Sequence, residues 1–169
     1  MKKFICILLS VLLTLSVFSG LGLVASAAEV SGDWEYNVLD DGTAELTEYL
    51  GSDTNVTVPS TINGYNVTSL YYTFGSKGSI VSITVPEGIT NAGDSAFYNC
   101  SSLTSVTLPS TLTTIGKYAF LNCRSMTDVV IADSVTTLRY AAFHQCSGFT
   151  TFTFGKGVTT VEQHVFAGC

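Results

Sequence analysis

Residues 103–123 read Leu103-Thr-Ser-Val-Thr-Leu-Pro-Ser-Thr-Leu-Thr-Thr-Ile-Gly-Lys-Tyr-Ala-Phe-Leu-Asn-Cys123, and this stretch decides the fold. Its opening, Leu103-x-x-Val106-x-Leu108, sets apolar residues on one face among β-branched neighbours. That pattern predicts a strand with one buried side. Pro109 ends it, because proline has no N–H to give to a ladder. Leu112 and Ile115 then turn inward again. Gly116 is expected to permit a tight bend, and Tyr118-Ala119-Phe120 to make one helical turn before Cys123.

The same unit recurs every 23 residues. Phe74, Phe97, Phe120, Phe143 and Phe166 keep that spacing, as do Cys100, Cys123, Cys146 and Cys169. Ala96, Ala119 and Ala142 form a further column, in which Val165 takes the fourth place. So do Ile80, Leu103, Met126 and Phe149, and Ile83, Val106, Val129 and Phe152. One such unit cannot bury its own apolar face, whereas stacked units share a continuous core. Parallel strands then lie about 4.8 Å apart, and each column becomes a ladder of like side chains.

These units resemble the BspA-like leucine-rich repeat, which runs Leu-x-x-Ile-x-Leu-Pro, then Leu-x-x-Ile-Gly, then Ala-Phe-x-x-Cys. Pro86 and Pro109 match its proline, and Gly93 and Gly116 match its glycine; Ala132 and Gly155 depart at the proline position. The resemblance covers residues 56–169 in about five repeats of 23, the last incomplete. It implies a leucine-rich-repeat solenoid, β-rich with short helical turns, in which parallel strands stack. For function it implies a secreted or cell-surface bacterial binding module for adhesion or protein recognition. Its partner class would be extracellular-matrix or host-surface proteins, with no enzymatic activity. Two alternatives stay open: a structural spacer, or an accessory region of a secreted enzyme whose catalytic domain lies beyond residue 169.

The first repeat is irregular. Pro59 to Phe74 is 15 residues where Pro86 to Phe97 is 11, an insertion centred on Asn63-Gly64-Tyr65-Asn66. Before it, residues 28–55 hold eight acids and neither Lys nor Arg. Trp34 to Leu39 and Thr43 to Leu50 flank Asp40-Asp41-Gly42, a strong hairpin signal. This acidic β-hairpin is expected to cap the N-terminal edge of the stack, which would otherwise invite another strand.

Residues 1–27 read as an address. Lys2 and Lys3 precede an apolar run from Phe4 to Val17, and Ala25-Ser26-Ala27 is a small-x-small cleavage pattern. A secretory signal peptide cut after Ala27 is expected. The alternative, a membrane anchor, needs about 20 continuous apolar residues. No membrane insertion is expected once it is removed. The formal charge of −6 becomes −8 without the two lysines. An acidic chain of pI near 4.6 lacks the basic footprint that nucleic-acid binding requires.

Signs of chemistry are sparse. Four cysteines in one column point the same way and offer each other two equivalent neighbours, so a buried ladder of free thiols is expected rather than disulfides. A linear ladder cannot make a tetrahedral zinc site, so no metal is expected, and nothing points to a cofactor or a catalytic group. His144 and His164 lack partners at ligand or triad spacing and read as solvated. Asp40 and Asp41 read as a turn rather than a calcium loop.

What remains is a repeated strand face. Ser82, Ser105, Asp128 and Thr151 form one solvent-facing stripe, and Thr84, Thr107, Val130 and Thr153 another. These eight positions are the candidate binding face, because solenoids use repeated faces for extended contacts. Cys169 falls at position 21 of its repeat, so the chain is expected to continue. An uncapped last repeat would expose apolar edges to self-association.

Overall fold

The computed structural model describes residues 28–169; the predicted signal peptide lies outside the described residues. The N-terminal segment forms β1 (Glu29–Ser31), β2 (Trp34–Val38) and β3 (Ala44–Tyr49), antiparallel in that order. The turn between β2 and β3 is held by Asp41, whose carboxylate accepts from the Thr43 N–H at 2.9 Å and from the Thr43 hydroxyl at 2.7 Å. This is an Asx turn.

Five coils follow. The first contains β4 (Asn55–Thr57), β5 (Thr61–Ile62) and β6 (Tyr65–Leu70). Here the insertion becomes an antiparallel β5–β6 hairpin, whose two turn residues, Asn63 and Gly64, sit at φ 47° and 90°. Both central residues are left-handed, as the tightest hairpin turns require. The remaining coils carry two short strands each: β7 (Ser82–Thr84) and β8 (Asn91–Ala92), β9 (Ser105–Thr107) and β10 (Thr114–Ile115), β11 (Asp128–Val130) and β12 (Thr137–Leu138), β13 (Thr151–Thr153) and β14 (Thr160–Val161).

On the back of the solenoid β6, β8, β10, β12 and β14 pair in parallel without interruption. β3 joins this sheet by pairing with β6, so the acidic hairpin covers the first coil's edge. The cap is cemented by aromatics as well. Trp34 and Tyr49 pack on Phe74 at centroid distances of 5.9 and 5.8 Å, where a preceding repeat would otherwise place its own ring.

The core is one continuous cluster running from Tyr36 to Val165. Its spine is the phenylalanine column: Phe74, Phe97, Phe120 and Phe143 are fully buried and stack nearly parallel, 5.5, 4.6 and 4.9 Å apart. Each ring contributes roughly 1.5–3 kcal/mol by burial alone.

Two expectations need correction. There is no helix among the described residues, so the helical turn at Tyr118-Ala119-Phe120 is absent. Tyr118 has φ 58°, and Tyr72, Ser95, Ala141 and His164 at the same place in their repeats are also left-handed. A left-handed residue cannot continue a right-handed helix. The chain instead makes a series of tight turns, in which Leu121 N–H reaches the Tyr118 carbonyl at 3.0 Å and Cys123 N–H the Phe120 carbonyl at 3.2 Å.

Gly116 also serves a different purpose from the one expected. Its φ is ordinary, but a Cβ there would lie 2.5 Å from the Gly93 carbonyl carbon and 2.7 Å from the Asp94 nitrogen. Glycine is required because consecutive coils approach backbone to backbone, not because the chain bends.

Candidate functional site

The eight candidate residues occupy the front of the solenoid, on β7, β9, β11 and β13. Ser82 pairs with Ser105 and Thr84 with Thr107, while Asp128 pairs with Thr151 and Val130 with Thr153. Ser82 is half-buried and the other seven are exposed, as period-2 alternation demands. The structure therefore brings the two stripes together, but not as one sheet.

The front ladder is split. β4, β7 and β9 form a three-stranded sheet, β11 and β13 a separate two-stranded one, and β9 does not pair with β11. Elsewhere the bonds repeat faithfully. Val58 N–H donates to Thr84, Val85 N–H to Thr107 and Ile131 N–H to Thr153, at 2.9, 3.0 and 2.9 Å. The equivalent bond from Leu108 N–H to the Val130 carbonyl is not formed. Likewise Thr104 N–H donates to Val81 and Thr150 N–H to Thr127, but Thr127 N–H does not reach Thr104.

The third and fourth coils stay joined on their other two sides. Thr136 N–H donates to Thr113 on the back, and Phe120 N–H to Ala142 along the turns. The front is thus wedged open, and a groove of about 630 Å³ fills the wedge. Val106, Leu108, Val129 and Ala132 line its floor. Val106 and Leu108 are half-buried where Ile83 and Val85, one coil earlier, are 1% and 3% exposed.

The rim is acidic. Glu87, Asp128 and Asp133 line the groove beside Thr107, Ser110 and Val130, and no Lys or Arg is among the lining residues. Each carboxylate is fixed by the next coil. Glu87 accepts from Ser110 N–H at 2.9 Å, Asp133 from Lys156 N–H at 2.8 Å, and Asp128 from the Thr151 hydroxyl. The Ser110 backbone N–H holds the Glu87 carboxyl below the usual range, and the Thr151 hydroxyl does the same for Asp128. Hydrogen bonds to the charged form favour it, so both stay anionic into mildly acidic conditions.

The other residues singled out in the sequence behave differently. The four cysteines of the repeat column are free, and three of them are buried. Each thiol donates to a phenylalanine carbonyl of the preceding coil: Cys100 to Phe74, Cys123 to Phe97, Cys146 to Phe120 and Cys169 to Phe143, at 3.0–3.1 Å. Burial pushes the Cys100 and Cys146 thiols up to about 12, away from the thiolate a nucleophile needs. His164 is exposed, but His144 is half-buried and its Nδ1 is buried without a hydrogen-bond partner, so the solvated reading of His144 is corrected.

Sequence reasoning missed both the split and the floor of the groove. The columns run unbroken through the third and fourth coils, so no residue type there marks a gap. Ala132, small where the two earlier repeats have proline, is the nearest signal.

A parallel solenoid of short strands, with a stripe of like side chains on each turn, defines a leucine-rich-repeat protein. The BspA type leucine rich repeat region matches residues 54–169 in six copies, and the chain belongs to that family. No curated protein matches it. Among solved structures it is similar to a leucine-rich repeat protein of T. pallidum, at 26% identity and a TM-score of 0.78, over 81% of this chain and 65% of that one. A leucine-rich cell surface protein of Faecalibacterium prausnitzii A2-165 matches at 26% identity and a TM-score of 0.64, over 84% and 46% of the two chains. A leucine-rich repeat protein of Bacteroides capillosus matches at 27% identity and a TM-score of 0.62, over 75% and 97%. The chain thus spans less than two thirds of the first two.

Proposed function

We propose that the protein is a secreted or cell-surface recognition module that holds an extended segment of an extracellular partner protein against its front face. The observation that carries this reading is the split between β9 and β11. It leaves main-chain donors and acceptors unpaired beside an apolar floor, which is how a sheet edge recruits a foreign strand. Leu108 N–H and Thr127 N–H are the donors in question; the Thr104 and Val130 carbonyls are the acceptors.

The chemistry of the partner follows from the lining. Apolar side chains suit Val106, Leu108 and Ala132, and Lys or Arg suits the Glu87, Asp128 and Asp133 rim. The rim charges are exposed, so they steer association and weaken with salt more than they hold the complex. The neighbouring Ser105, Thr107, Thr151 and Thr153 extend the contact along the face. Membership of a family with a cell-surface relative supports an extracellular setting for such binding.

The test is surface plasmon resonance against immobilised fibronectin, fibrinogen, laminin and collagen, with Thr107→Arg and Val130→Asp beside the unaltered protein. Both positions are exposed, so the fold should survive each change. Binding of at least one matrix protein, weakened about tenfold or more by either substitution, supports the reading. Absence of binding to all four, or binding indifferent to both substitutions, contradicts it. Absence of binding would favour a spacer.

A further inference from the structure

The insertion in the first coil serves neither the phenylalanine spine nor the front face. Its tip, Asn63-Gly64, is the chain's only Asn-Gly pair. The two residues make the left-handed turn of the β5–β6 hairpin, and that turn reaches across to the N-terminal cap. There the Asn63 side chain is gripped at both ends. Its Oδ1 accepts from the Ser31 hydroxyl of β1 at 3.0 Å, and its Nδ2 donates to the Tyr36 hydroxyl of β2 at 2.9 Å. Tyr36 is buried and donates its own proton to the Glu29 carboxylate in a bond of 2.5 Å. One amide thus clasps two strands of the cap to the first coil.

Gly64 beside it is an unguarded nucleophile. Both residues are exposed, no atom lies within 4 Å of where a Gly64 Cβ would stand, and the Gly64 N–H has no hydrogen-bond partner among the described residues. A main-chain nitrogen without a side chain in the way can approach the carbonyl carbon of the preceding asparagine side chain. The clasp prevents this. An amide held by Ser31 and Tyr36 cannot turn onto the Gly64 nitrogen while those bonds last. Their weak point is β1, a strand of three residues paired on one side only. Short edge strands of this kind open locally at low cost.

We infer that Asn63 is a site of spontaneous deamidation, gated by the clasp, which turns a transient opening of the cap into a permanent one. The Gly64 nitrogen bonds to Asn63 Cγ, the Cγ–Nδ2 bond breaks, and ammonia leaves with the Gly64 proton. Water then opens the cyclic imide at either carbonyl, giving aspartate or a β-aspartyl linkage. Neither product restores the clasp. Aspartate has no N–H for Tyr36, whose single proton already goes to Glu29, so two carboxylates would face one phenol. A β-aspartyl linkage adds a methylene to a two-residue turn that has no slack. With the clasp lost, the edge of the first coil is held less firmly under its cover.

The site belongs to the cap and is independent of the front groove. Its test is peptide mapping by mass spectrometry of the protein held at mildly alkaline pH, beside Ser31→Ala, Tyr36→Phe and Phe166→Ala. Conversion is read as the replacement of NH2 by OH at residue 63. Ser31→Ala and Tyr36→Phe should each speed it about two- to tenfold, the effect of one hydrogen bond on the opening equilibrium. Phe166→Ala weakens the far end of the spine without touching the clasp and should leave the rate unchanged. Asn63→Asp, which suits the left-handed turn, should make the β1 amides exchange hydrogen faster than in the unaltered chain. Four results overturn the inference: no conversion at residue 63 in any chain, equal rates with and without the clasp, acceleration by Phe166→Ala as large as by Ser31→Ala, or unchanged β1 exchange in Asn63→Asp.

Discussion

The thiol of Cys123 donates to the main-chain carbonyl of Phe97, 26 residues earlier and one coil below, at 3.1 Å. The same bond joins Cys100 to Phe74 and Cys146 to Phe120, so sulfur stitches each coil to the previous one without a disulfide. Cysteine suits the position because it is small, apolar and carries one weak donor.

The stitch makes stability depend on alkaline pH. Burial raises these thiols, Cys100 and Cys146 to about 12 and Cys123 well above the ordinary range. The folded chain therefore binds the protons more tightly than the unfolded chain. The contribution is complete below the ordinary thiol value near 8.5 and is lost as pH rises towards 12. Urea melts at pH 7 and pH 10 should show lower stability at the higher pH, with a smaller fall in Cys123→Ala. An equal fall in the variant would contradict the assignment.

Phe120→Ala should cost about 3–5 kcal/mol, because stacked coils on both sides cannot collapse into the gap. Phe166→Ala should cost less, since that ring is only partly buried and stacks on Phe143 from one side at 5.9 Å. Urea denaturation of the two variants checks this; equal losses would be inconsistent with a stacked column.

Gly116→Ala should destabilise by about 1–3 kcal/mol although its backbone angles suit alanine, because the new methyl would press on the coil below. Gly64 has open space around its missing side chain but φ 90°, so Gly64→Ala should cost through backbone strain alone. Asn at the two positions separates the causes: it should ease the strain at residue 64 and worsen the clash at 116. Thermal melts of the four variants read the difference.

The last described coil exposes Phe154 and Val161 by half, next to the unpaired edges of β13 and β14. In a polypeptide limited to residues 28–169 no further coil meets these edges, and β1 to β3 cover the other end of the stack, so a two-fold, tail-to-tail contact is expected of that polypeptide. Light scattering of residues 28–169 over a concentration series should show dimerisation, weakened by Thr153→Lys. A protein that stays monomeric at the highest concentration would contradict this.

The sequence predicted most of what positions these surfaces. The period placed every ring of the phenylalanine spine and every thiol, since one repeat's environment is the next one's. Asp40-Asp41-Gly42 located the N-terminal hairpin through turn chemistry. The tight turns were misread as helical because Tyr118-Ala119-Phe120 has ordinary helix formers, and the left-handed angle is imposed by bonds such as Tyr118 N–H to Tyr140. The split front sheet was not legible: Val106, Val129 and their neighbours keep the column pattern across it. The rings of the turn edge were less legible, because they fall in three columns (Tyr71 with Tyr140, Tyr72 with Tyr118 and His164, and Tyr98), none of which is aromatic in every repeat.

Amide hydrogen exchange, resolved residue by residue, tests the interrupted front ladder most directly. Val85, Thr104, Ile131 and Thr150 donate between coils and should be protected. Leu108 and Thr127, their counterparts at the split, should exchange on the order of a hundredfold faster, equivalent to about 2.7 kcal/mol of opening free energy. Equal protection at all six amides would mean that β9 and β11 pair in solution, and the front groove would lose its place as a recognition site.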